Sequence, residues 1–276
     1  MKKNLLKLLF ASILFTACTR DQVEPLPEPS LVPYAIYELN NSNFDTSAPR
    51  KVTEFSYSSQ GLISTLRERI YTGNQFDRTH YFDYNQQGEV ISLAHNNIEW
   101  TRYNYFYQNG KVSYTTSNYG SSAFLFDGSN RMRIRIDTSG PKGNSYRTDS
   151  LLYNYTDSGV TIRRIIQLLR TNTIGEAQVN YLFFDKAKRN PFEKVKSNLE
   201  CMPFSLIGLI DNLRFKTSGF VSMYKMVDRS GRIDFKADFE ILKERQKANY
   251  PELIKVNYDS FGTPSEFYLY ILYREL

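Results

Sequence analysis

The sequence predicts an all-β protein: an antiparallel β-meander forming a large curved open sheet or half-barrel, with one short helix. The first reason is a recurring unit. It reads aromatic, any residue, aromatic, a short polar run, Gly or Asn, and then an alternating strand. Copies are "FSYSSQGLIS" (55–64), "FDYNQQGEVIS" (82–92), "YFYQNGKVS" (105–113), "FLFDGSNRMR" (124–133), "YNYTDSGVTI" (153–162), "YKMVDRSGRI" (224–233) and "VNYDSFGTPS" (256–265). Aromatics two apart share one face of a strand. Asn, Asp, Ser and Gly close the turn, and Gly takes positive φ without steric cost. The second reason is length. The residues from 34 to 276 suit one all-β domain better than two smaller ones. A two-sheet sandwich is the alternative architecture.

In chain order, the first segment is a leader. "MKKNLLKLLFASILFTAC" carries Lys2 and Lys3, an apolar run from Leu5 to Phe15, and then small residues. That order is a secretory signal, too short for an ordinary membrane-spanning helix. "FTAC" resembles the lipobox of bacterial lipoproteins, with Phe15 where Leu is usual. The resemblance implies cleavage after residue 17 and acylation of Cys18. It also implies sorting to the outer membrane, because Thr19 and not Asp follows the cysteine. Lipid chains contribute about 0.8 kcal/mol per buried methylene. Residues 18–33 contain Pro25, Pro27, Pro29 and Pro33 and read as an extended spacer. A single β-meander domain, 34–276, comes next.

The net charge of +6 includes Lys2, Lys3 and Lys7; removing those three lysines and no acid leaves +3. So small a charge on an exported chain argues against nucleic acid as a partner. Beyond Cys18 the one cysteine is Cys201, in the apolar context "NLECMPF", which reads as a buried hydrophobe.

The hairpin pattern resembles the YD repeats of large bacterial surface and toxin-shell proteins. It is closer still to a group of bacterial surface lipoproteins known as domains of unknown function. The shared features are the lipobox, the drifting hairpins, "FFDKAKRNPF" (183–192), and a late "NYPELIKVNYDSFG" before the closing "EFYLYILY". The likeness implies a fold and an outer-membrane address, and it implies no reaction.

One stretch breaks the β rhythm. After Pro203, "FSLIGLIDNLRF" spaces Leu206, Ile207, Leu209, Ile210 and Leu213 as a helix of about two turns, with Ser205 placed to cap it. At the other extreme, "EFYLYILY" (266–273) is apolar on both faces. It is therefore expected inside the sheet, covered on both sides by that helix or by the loops around "NPF".

Candidate sites are few. Asp234 with Asp238, and Glu240 with Glu244, are paired carboxylates, but acid–base work needs them to converge in a pocket. No nucleophile, zinc-protease or phosphate-loop motif is present, so the chain reads as a non-enzyme without metal or cofactor. His80 and His95 fall on neighbouring strands and can meet across a hairpin, without evident further metal ligands. Trp100, Tyr103, Tyr105 and Tyr107 form an aromatic strip that serves either as core or as a binding platform. In "RMRIRID", Arg131, Arg133 and Arg135 share a face opposite Met132, Ile134 and Ile136. That predicts a solvated arginine face able to take phosphate or carboxylate, above a buried apolar one. The expected function is a membrane-anchored, non-catalytic binding module for a glycan, a peptide or an envelope protein. A structural lipoprotein and a hydrolase with an unrecognised carboxylate site are the alternatives.

Overall fold

The computed structural model describes residues 30–43, 45–73, 75–95, 98–140, 146–196, 201, 219–245 and 249–276, with backbone alone for 98–101. Cys18, the leader, most of the spacer and the expected helix near 205–213 lie outside these residues. No α-helix occurs among the described residues. The strands are β1 (Leu31–Leu39), β2 (Lys51–Tyr57), β3 (Ile63–Ile70), β4 (Phe76–Tyr84), β5 (Val90–His95), β6 (Ile98–Gln108), β7 (Lys111–Ser117) and β8 (Gly120–Phe126). The second half holds β9 (Met132–Ser139), β10 (Arg147–Tyr155), β11 (Gly159–Leu168), β12 (Thr173–Asp185), β13 (Phe220–Asp228), β14 (Ile233–Glu244), β15 (Pro251–Ser260) and β16 (Thr263–Glu275).

Each strand pairs antiparallel with the next, as the meander predicts. The sheet is not open, however: β16 pairs with β1 and closes a sixteen-stranded barrel. This corrects both the half-barrel and the sandwich. The cause lies in the ends of the chain. "EFYLYILY" needs a neighbour on each side, and β1 supplies the second one through Ile36↔Ile271 and Leu39↔Tyr268. Closure leaves no unpaired sheet edge. The first strand also starts at Leu31, within the expected spacer.

The repeat has one mechanical basis. Ser58, Asn85, Asp127 and Asp228 each open a five-residue turn whose fourth residue, Gly61, Gly88, Asn130 or Gly231, has φ between 62° and 88°. The side-chain oxygen of the first residue accepts the N–H groups two and four positions on. Asn85 Oδ1 takes Gln87 and Glu89 at 3.0 and 2.9 Å, and Asp127 Oδ1 takes Ser129 and Arg131, both at 2.9 Å. Plain alternation keeps both aromatics of each outgoing strand inward, while one extra residue in the returning strand, Ser64, Ile91, Ser113 or Arg133, shifts the register after the turn. Thus Phe55, Phe82, Tyr105, Phe124 and Tyr153 form a buried inner ring, and Tyr57, Tyr84, Tyr107, Phe126 and Tyr155 pack above it. The hydroxyls of Tyr57, Tyr84 and Tyr107 donate to the carbonyls of Pro33, Ile63 and Val90 on the preceding strand, at 2.6 to 3.1 Å.

The turns opened by Ser58, Asn85 and Asp127 and both termini lie at one end of the barrel, here the terminal end, while the Asp228 turn lies at the opposite end. The stretch 186–196 after β12 plugs the terminal end. Asn190 Oδ1 accepts the Phe192 N–H at 2.8 Å, and Phe192 is buried with its ring edge-on to Phe55 at 5.5 Å. Val195 and Cys201 join the same core. The "NPF" loop therefore fills the lumen and does not cover the outside of β16. Gly120 shows how tightly neighbouring strands approach: a Cβ there would meet the Thr138 carbonyl oxygen at 2.0 Å.

Candidate functional site

Toward the opposite, far end the lumen changes character. Inward positions are still every second residue, but several are charged. On β2, Thr53 and Lys51 follow Phe55 inward; on β3, Glu68 follows Leu66; on β4, His80 and Arg78 follow Phe82. Glu68 is fully buried and gathers three partners. Lys51 Nζ donates to Oε1 at 3.0 Å, and Arg78 Nη2 and His80 Nε2 donate to Oε2 at 2.8 and 3.3 Å. A carboxylate only accepts, so Nε2 of His80 carries the proton. Burial alone would raise the Glu68 pKa, but the His80 hydrogen bond, the Lys51 charge and the Arg78 hydrogen bond hold it down at about 2.

His80 and His95 do meet: they face each other across β4 and β5, with rings 4.3 Å apart and edge-to-face. Tyr103 stands 5.9 Å from His95. Burial depresses both histidines, His95 to about 4 with further help from His80 and Arg78. Among the described residues no group of three or more His, Cys, Asp or Glu has the geometry to hold a metal.

A second ionic group continues around the wall. Asp137 and Asp149 face each other across β9 and β10. Arg135 Nε donates to Asp137 at 2.8 Å, while Arg147 and Arg164 donate to Asp149 at 2.7 and 2.8 Å. The far-end connections that frame this polar half expose Tyr71, Tyr119, Tyr146, Leu169 and Phe261.

The residues expected as sites disperse. Tyr103, Tyr105 and Tyr107 point into the lumen, so the strip is core and not an outer platform; Trp100 lies on β6, its side chain outside the described residues. The arginine face is corrected. A bulge between Met132 and Ile134 turns Met132 inward, exposes Arg133 and then buries Arg135 beside Asp137. Ile134 and Ile136 consequently face outward. Arg131 is bound to Asp127 in its turn, with its guanidinium 5.0 Å from the Tyr155 ring centre. The three arginines do not converge on one anion. The carboxylate pairs also separate: Asp234 meets Arg232, Asp238 meets Lys236, and Glu244 meets Lys188.

The lumen makes the molecule acid-sensitive. An unfolded histidine titrates near 6.5, and His95 in the barrel near 4, so between these values the unfolded chain binds more protons. The stabilisation is complete above pH 6.5 and is lost as pH falls towards 4; below 4.5 Glu68 adds to the loss. The unfolding free energy from urea titration should fall between pH 7.5 and 5.0, by on the order of 1–2 kcal/mol for His95 after allowing for its partial exposure. In His95→Gln the slope should flatten; an unchanged slope would exclude His95 as its source.

Fold and lumen together define a closed, internally filled β-barrel. No protein family and no curated protein matches the chain. Its fold is similar to that of a porin-like protein from Bacteroides uniformis, with a TM-score of 0.56 and 9% identity over 91% of this chain and 99% of that one. A porin-like protein from Bacteroides vulgatus gives a TM-score of 0.44 and 9% identity over 89% and 99%. At this identity the first likeness concerns the fold alone.

Proposed function

We propose that the chain is a lipid-anchored, non-catalytic binding barrel of the bacterial outer envelope, standing in water and not spanning the bilayer. The carrying observation is the polarity of the wall. A lipid-crossing barrel needs an apolar outer band about 25 Å tall, and a cation at its middle costs about 2–4 kcal/mol. Here the outer face carries Arg67–Asp77, Arg69–Glu54, Arg102–Asp83, Arg163–Glu176 and Lys255–Glu266 on the strands themselves, while the inside holds the apolar core. Because β1 leaves from the terminal end, an anchor at Cys18 tethers that end. The far end, with its polar lumen and exposed aromatics, then faces away from the membrane toward a glycan or an envelope protein.

The test is Cys18→Ser. The variant should leave the membrane fraction as a folded, water-soluble barrel, whereas the wild-type protein partitions with detergent. Retention of the variant in carbonate-washed membranes would mean that the strands themselves are embedded.

A further inference from the structure

The outer wall is not uniform. From β7 to β10 its outward residues form continuous cross-strand rows. One row is Leu125, Ile134 and Leu152. The next runs from Phe106 on β6 through Tyr114, Ala123 and Ile136 to Ser150. The third is Thr116, Ser121, Thr138 and Thr148. None of these residues is charged; Lys111 and Arg133 sit only at the edge beside the terminal-end turns. Ion pairs resume on either side, with Arg102 on β6 and Arg163 on β11. Leu125, Tyr114 and Phe106 are 55%, 42% and 39% exposed.

We infer that this sector is the contact face of a two-fold homodimer, an inference that rests on the barrel standing in water. Three arguments select a second copy of the chain. At a two-fold contact each residue near the axis meets its own counterpart, so a self-docking face must avoid like charges. A partner steered by charge would require the charges this sector lacks. Phe106 and Tyr114 stack on each other at 4.3 Å and 9°, which leaves each only one ring face and makes the pair a poor sugar platform. The hydroxyl row argues against lipid and suits the polar margin of a protein contact. Five strands at ~4.8 Å spacing and six residues at ~3.3 Å give a footprint of about 24 by 20 Å in projection. Standing side chains carry its accessible area towards the roughly 800 Å² per partner of a standard interface.

The experiment is sedimentation equilibrium of the full chain carrying Cys18→Ser, from about 1 to 100 µM. It is run in water if that chain is released and in detergent if it is not, so failure of the water-exposed reading stays separate from failure of this one. A dimer is expected. Tyr114→Glu with Leu125→Glu should weaken it at least a hundredfold while the thermal melt stays unchanged. Tyr81→Glu, exposed on β4 outside the sector, should leave it intact. A monomer at every concentration would overturn the inference, as would a dimer indifferent to the paired substitution. If the wild-type chain is monomeric and the paired substitution instead abolishes binding to peptidoglycan or to envelope vesicles, the face serves another occupant and the homodimer is likewise refuted.

Discussion

Glu68→Leu should lower the stability of the barrel by about 3–5 kcal/mol, the range for breaking a buried ion pair by removing one partner. The loss comes less from the missing attraction than from what remains. Lys51 is 4% exposed and would keep its charge without the Glu68 carboxylate at 3.0 Å, and Arg78 and His80 would lose the same acceptor. Lys51 would also face the usual desolvation cost of a buried ammonium. Against a total of about 5–15 kcal/mol for a domain, much of the folded population is then at risk. Urea denaturation followed by circular dichroism measures it. Glu68→Gln, which keeps one acceptor, should lose less. Lys51→Met combined with Glu68→Leu should recover part of the loss, because the buried cation is gone. Arg67→Ala, one residue away but outward and 46% exposed, should cost less than about 1 kcal/mol. Similar losses for Glu68→Leu and Arg67→Ala would mean that the assigned inner and outer faces are wrong.

That contrast also shows where the fold was legible. In "LRERI" all three central residues are charged, so alternation of polarity says nothing about which points inward. The signal lay in the flanks: Leu66 and Ile70 stand two positions either side of Glu68 and share its face. The same reading places Lys51 and Thr53 with Phe55, and Arg78 and His80 with Phe82. The hairpin units were readable because each is local, a capped turn with one left-handed residue and aromatics two apart. Bulges were not, and each one reverses the inward and outward parity of the residues beyond it. In "RMRIRID" a single extra residue at Arg133 reverses the expected faces, burying Arg135 and turning Ile134 and Ile136 outward. Closure escaped the sequence for another reason: the pairing of β1 with β16 joins residues 229 (Leu39↔Tyr268) to 244 (Leu31↔Glu275) positions apart, and no local pattern specifies it.

Truncation after residue 264 should abolish the folded barrel. It removes nearly all of β16, the strand that joins β15 to β1. On the inside go Phe267, Leu269, Ile271 and Tyr273, all buried in the main core. With them goes the Tyr273 hydroxyl, which donates to the Pro251 carbonyl at 2.7 Å. On the outside goes Tyr268, which packs with Leu39 and Leu253 in a separate small cluster beside Tyr37 and Tyr270. Each large side chain returned to water costs about 1.5–3 kcal/mol, so these five alone approach or exceed the total stability of a typical domain. The loss is also topological. Without β16 both β1 and β15 become free edges with unpaired N–H and C=O groups, a template for intermolecular pairing. Aggregation is therefore expected, and not merely a lower melting temperature. Expression of residues 1–264 should yield insoluble protein with no cooperative transition. A soluble product melting within a few degrees of the full chain would show that fifteen strands hold an open sheet unaided. The apolar outer face of β16 would then have to be explained by something other than closure.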